Sequence, residues 1–182
     1  MSNKPKKPNP TAQLLEALAF AAHAHRAQRR KDVEKNPYIN HPIALARTLA
    51  VEGGITDTRT LLAAILHDTV EDTDTTFEEI AAMFGHKVAD VVREVSDDTT
   101  LARSDRKRLQ IEHAPHISKR AALVKLADKT SNLRDVAASP PPGWPLARRR
   151  EYFDWAKAVV DRLPPVSKRL RAAFDAAFER RP

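Results

Sequence analysis

Leu61-Leu62-Ala63-Ala64-Ile65-Leu66-His67-Asp68-Thr69-Val70-Glu71-Asp72 decides how this chain is read. An apolar run passes abruptly into acidic residues, as a core helix does when its end opens into a cleft. If the helix continues through the stretch, His67 and Glu71 lie one turn apart on one strip, and Asp68 and Asp72 one turn apart on the adjoining strip. Three carboxylates so close repel one another unless a cation or a basic substrate group offsets their charge. A bound divalent metal is the simplest remedy. A lone His-Asp pair more often only solvates or caps a helix end, so the metal reading depends on what the rest of the chain adds.

Two further polar residues interrupt apolar stretches elsewhere. His41 stands in Tyr38-Ile39-Asn40-His41-Pro42, and Asp128 in Leu123-Val124-Lys125-Leu126-Ala127-Asp128. Asp128, Asn132 and Asp135 fall at helical spacing on one polar strip. The chain has no cysteine, so disulfides and thiolate-bound zinc are excluded and any metal is held by His, Asp or Glu. Two histidines and two aspartates suit a borderline or hard divalent ion, and sequence does not separate Mn²⁺, Fe²⁺, Zn²⁺ and Mg²⁺.

Outward from this stretch, apolar residues recur at helical spacing and strand-like alternation is scarce, which predicts an all-α fold with a single compact domain. Leu14, Leu15, Leu18 and Ala22 mark one face of a first helix after Pro10. A second begins at Pro42 and ends at Gly53-Gly54. Asp57 caps the helix of the opening stretch, and Thr75 or Thr76 ahead of Glu78 or Glu79 has the capping-box pattern for the next, which stops near Gly85. Further helices are expected over about 87–95, 105–112 and 118–136. Pro140-Pro141-Pro142-Gly143 then interrupts, and two more follow Pro145 and Pro164-Pro165.

At 182 residues, the chain is expected to form one domain over residues 11–182 behind a short disordered basic tail, residues 1–10. No apolar run is long enough to cross a bilayer, and the first ten residues have no signal-peptide character, so a cytoplasmic location is expected. The net charge of +7 favours polyanionic partners without choosing among nucleic acid, membrane surface and phosphorylated metabolites.

The chain resembles the HD hydrolase domain of the RelA/SpoT family, in particular its small stand-alone hydrolases related to the metazoan SpoT homologue. The resemblance rests on 29–32 (Arg29-Arg30-Lys31-Asp32), 37–42, 64–76, 124–129, 132–135 and 151–155, and runs from about Leu14 to about Leu163. It implies an HD-type helical fold in which His41, His67, Asp68 and Asp128 bind one Mn²⁺, while Glu71 and Asp72 position or deprotonate the water bound to it. It also implies the family reaction: removal of the 3′-pyrophosphate from ppGpp or pppGpp, giving GDP or GTP, without synthetase activity in so short a chain. In the same way Arg30 and Lys31 are expected to border the guanine, Asn132 to lie near the ribose, and Arg148 and Tyr152 to approach the 5′ side.

Two other readings stay open. Related small hydrolases suggest removal of the 2′-phosphate from NADPH, and a vestigial cleft would leave a non-catalytic nucleotide- or nucleic-acid-binding module. No stable nucleic-acid complex is expected, because each position needed for metal binding and water activation holds a competent residue, and no membrane contact, because the apolar runs are short. His23, His25, His113 and His116 are read as surface or packing histidines, and the Tyr152-Phe153-Trp155 cluster mainly as core, Tyr152 excepted.

Overall fold

The structure is a computed structural model and describes residues 9–182; residues 1–8, most of the expected tail, lie outside the described residues. Helix α1 (Pro10–Ala24) starts with Pro10 in its first turn, where a missing N–H costs nothing, and Asn9 accepts a hydrogen bond from Thr11 N. It buries Ala17 and Ala21 and leaves Leu15 exposed. The expected apolar face is therefore rotated toward the alanines, whose small side chains let α1 lie close to its neighbour.

Helix α2 (Asn40–Arg47) begins two residues before Pro42 and runs into a π-helical turn, Thr48–Glu52. Gly53 closes it. A Cβ there would stand 2.6 Å from the Leu49 carbonyl oxygen and 2.8 Å from the Leu170 side chain, so the position admits only glycine without a shift. Helix α3 (Thr58–Leu66) follows, with Asp57 accepting from Thr60 N. Its residues Thr60–Leu66 are all buried, as a helix apolar on every side must be.

The helix does not run through the opening stretch. It stops at Leu66, and a separate one-turn helix α4 (Thr69–Asp72) restarts with Asp68 at its head. Two side chains replace main-chain donors at the break: His67 Nδ1 bonds Ala64 O at 2.9 Å and Thr69 Oγ1 bonds Leu66 O at 2.7 Å. Helix α5 (Phe77–Phe84) carries the expected capping box between Thr76 and Glu79 and ends at Gly85, φ 92°.

The remaining helices are α6 (His86–Val95), α7 (Arg103–His113), α8 (Lys119–Ala138), α9 (Leu146–Val160) and α10 (Lys168–Phe178). Helix α3 packs against α1, α2, α6 and α8, and α8 in turn against α2, α6, α9 and α10. A single hydrophobic core extends from Ala17 to Ala177. The fold is all-α, and no described helix is long and apolar enough to cross a membrane. Because α2, α3 and α8 pack on one another, polar residues at their ends and along α8 face a common cavity.

Candidate metal centre and its basin

His41 sits in the first turn of α2, His67 and Asp68 at the α3–α4 break, and Asp128 in the middle of α8. Their ligand atoms converge. His41 Nε2 is 3.3 Å from Asp128 Oδ1 and 3.8 Å from Asp68 Oδ2, and His67 Nε2 is 2.9 Å from Asp68 Oδ2 and 3.9 Å from Asp128 Oδ1. His41, His67 and Asp128 form the only group with metal-ligating spacing among the described residues. Asp68 stands at its edge.

The donor set fits a divalent cation. A carbonyl oxygen only accepts, so the bond from His67 Nδ1 to Ala64 O keeps a proton on Nδ1 and leaves Nε2 facing the cavity as the nitrogen a cation would take in place of a proton. That Nε2 is buried with no hydrogen-bond partner; Asp68 Oδ2, though near, is off the line a hydrogen bond needs. Burial alone would depress the His67 pKa, but the charges of Asp68 and Asp128 outweigh it and push it up to about 9. Burial works against ionised Asp68 and Asp128 too, yet their cationic neighbours hold both well below the usual carboxylate range. A cluster with so strong a demand for positive charge is suited to a metal ion.

Neighbouring side chains fix the candidate ligands. Tyr38 Oη donates to Asp68 Oδ2 at 2.5 Å, and Lys129 Nζ and Asn132 Nδ2 take the two oxygens of Asp128 at 3.0 and 2.6 Å. Lys129 is buried with its ammonium 4.5 Å over the Trp155 ring. Burial would lower its pKa, but Asp128 raises it above the ordinary value. Lys125, also buried, donates to Val95 O, and burial depresses it to about 8.

Glu71 and Asp72 part company. Glu71 faces the metal cavity, where its carboxylate accepts from Asp97 N at 3.0 Å and lies 3.6 Å from Arg106 Nη1. Burial, against the bond from Asp97, pushes its pKa up to about 7. Asp72 instead accepts from Gln28 Nε2 at 2.9 Å and lines an adjoining basin. The single broad face expected of an unbroken helix is thus divided between two spaces.

The cavity, of about 160 Å³, shares Tyr38 and Asn132 with that basin, of about 380 Å³. Arg30, Lys31 and Tyr152 line the basin together with Arg103, Trp144 and Asp135. Arg30 pairs with Asp135 and lies 5.7 Å over the Tyr38 ring. Burial raises the Tyr152 hydroxyl to about 12, so it remains a donor. Arg148 does not line the basin. It is exposed, with its guanidinium 4.4 Å over Trp144 at the rim. His113 and His116 are exposed, whereas His25 is buried.

The sequence alone assigns no role to Gln28, Tyr38, Lys125, Lys129, Arg103, Arg106 or Trp144, which the structure brings to the cavity and the basin. The two lysines carried a usable signal: on a long helix with buried neighbours, each falls beside or one turn before Asp128.

An HD-domain family profile matches residues 17–154. The chain belongs to the HD-domain family. This HD-domain protein is 58% identical over 167 residues to the Xenopus tropicalis guanosine-3′,5′-bis(diphosphate) 3′-pyrophosphohydrolase MESH1, covering 92% of this chain and 93% of that protein. It is 56% identical over 170 residues to the human MESH1, covering 93% and 95%. A solved structure of a metazoan ortholog of SpoT that hydrolyzes ppGpp superposes with a TM-score of 0.91 at 49% identity, over 96% of this chain and 98% of that one.

Proposed function

We propose that this HD-domain protein is a guanosine 3′,5′-bis(diphosphate) 3′-pyrophosphohydrolase that uses one divalent metal ion, Mn²⁺, and carries no synthetase activity. It converts ppGpp to GDP and pppGpp to GTP, releasing pyrophosphate. The observation that carries this reading is a ligand cavity, with Glu71 in its wall, opening past Tyr38 and Asn132 into a basin lined by Arg30, Lys31 and Arg103. Similarity to the MESH1 hydrolases over almost the whole chain supports the same reading.

His41, His67, Asp68 and Asp128 would hold the ion, which when bound lowers the pKa of a coordinated water and neutralises charge on a phosphoryl oxygen. Glu71, raised to about 7 by burial, suits a group that accepts a proton from the attacking water near neutral pH. Water oxygen bonds to the phosphorus attached to the ribose 3′-oxygen, the bond from that phosphorus to the 3′-oxygen breaks, and the 3′-oxygen takes up a proton. Asp72, on the basin side, orients substrate. Arg30 and Lys31 offset the nucleotide's charge, and the Arg30 plane suits a purine face.

Product analysis tests the assignment. Protein loaded with Mn²⁺ is given ppGpp, pppGpp or NADPH, and the products are separated. Pyrophosphate with GDP from ppGpp, and with GTP from pppGpp, is expected. Release of phosphate from NADPH with ppGpp left intact would overturn it.

A further inference from the structure

Asp72 is held by a chain that begins at a buried histidine. His25, 3% exposed, ends α1 with its backbone N–H bonded to Ala21 O. Its Nδ1 lies 2.6 Å from Gln28 Oε1, and Gln28 Nε2 donates to Asp72 Oδ2. An ionised carboxylate offers only acceptors, so the Gln28 amide turns its NH₂ to Asp72 and its carbonyl to His25. His25 Nδ1 must then carry the ring proton, and His25 Nε2 is left buried with no partner. Both polar ends of Gln28 are occupied, which removes its freedom to swing away from Asp72.

The same imidazole braces the other side of the site. Its ring lies 4.7 Å from the Tyr38 ring, and Tyr38 donates to Asp68. One side chain therefore touches the supports of two acids: an amide that reaches Asp72 and a phenol that reaches Asp68. Packing alone would be served equally well by an aromatic hydrocarbon. The Nδ1–H directed at an amide carbonyl is the feature a hydrocarbon lacks.

We propose that His25 is a positioning residue for the reaction: through Gln28 it fixes Asp72 in the wall of the basin beside the metal cavity, and by ring packing it steadies Tyr38 against Asp68. The role rests on the pyrophosphohydrolase reading. The two functions of the ring are separable, because Phe keeps the ring contact without the donor and Asn places an N–H near Nδ1 without the ring contact.

Three measurements test this on the full chain. Long-range ¹⁵N–¹H NMR of the imidazoles reads the tautomer directly and needs no substrate. A single Nδ1–H form of His25, lost or mixed in Gln28→Leu, is expected; a pure Nε2–H form overturns the chain even if ppGpp is hydrolysed. In turnover, His25→Phe lowers kcat about tenfold with Mn²⁺ affinity and KM near wild type, and His25→Asn recovers most of the kcat. In an Asp72→Ala background, His25→Phe costs little more, since its effect passes through Asp72. Equal kcat losses in the Phe and Asn variants, or a full further loss on top of Asp72→Ala, would reduce His25 to packing. Absence of ppGpp turnover in the wild type would refute the parent reading and leave the NMR result to stand on its own.

Discussion

The metal cavity and the basin beside it share a wall yet are built differently. The cavity is made where helices begin, break and cross: His41 is in the first turn of α2, His67 and Asp68 at the α3–α4 break and Asp128 within α8, and Tyr38, Lys129 and Asn132 bond directly to Asp68 and Asp128. The basin is made largely by connecting segments, the stretch between α1 and α2 and the Pro-rich turn between α8 and α9, which supply Arg30, Lys31 and Trp144. Rigid elements hold the groups that must meet within a few tenths of an ångström, and loops carry the longer cationic side chains that gather charge. Mutations in the two spaces should therefore fail in different ways.

The largest effect is expected in the cavity. His67→Ala or Asp128→Ala removes a ligand and should lower turnover by at least about a hundredfold, with bound metal lost on dialysis. A variant that kept both its metal and its rate would break the distinction. Acid pH comes next. Because burial raises Glu71 to about 7 rather than 4.5, and only its ionised form accepts a proton, kcat should fall about tenfold per unit as pH drops below 7. In Glu71→Gln the rate should be low and that limb absent, which a pH profile of both proteins checks.

The cationic side chains of the basin should behave otherwise. Arg30→Ala or Lys31→Ala is expected to raise KM by about tenfold with kcat nearly unchanged, since these contacts hold substrate and transition state alike. Steady-state kinetics at two salt concentrations would read this, and a kcat loss without a KM change would move the residue into the cavity's class. Smallest of all, Asp57→Ala lies outside both spaces and removes the α3 cap, costing about 1 kcal/mol in a denaturation curve and leaving turnover intact. Its Arg120 partner holds the Asp57 pKa down to about 2. The contribution is therefore full above the unfolded carboxylate pKa and fades as pH falls from about 4 toward 2.

The same contrast explains what the sequence made legible. Helices could be placed because Pro10, Asp57, Thr76 and Gly85 mark their ends by local chemistry. The cavity's candidate ligands were legible because each is a polar residue that interrupts or ends an apolar stretch. The break at His67-Asp68 was not, since neither glycine nor proline marks it and the bonds from His67 and Thr69 to carbonyls appear only in three dimensions. That break is why Asp72 faces the basin. Gln28 has no legible role and His25 reads only as a surface or packing histidine because their meaning depends on Asp72, far along the chain, and Trp144 is missed because it follows a turn whose path sequence leaves open.

One divalent ion in this cavity is expected to drive pyrophosphate release. The most direct measurement titrates Mn²⁺ into metal-free protein while following pyrophosphate released from ppGpp, beside Asp68→Ala. Turnover should be absent in chelator, rise to its full value at one equivalent, and stay low in Asp68→Ala at the same ion concentration. Turnover that persists in chelator, or an Asp68→Ala protein as active as the wild type, would contradict the account.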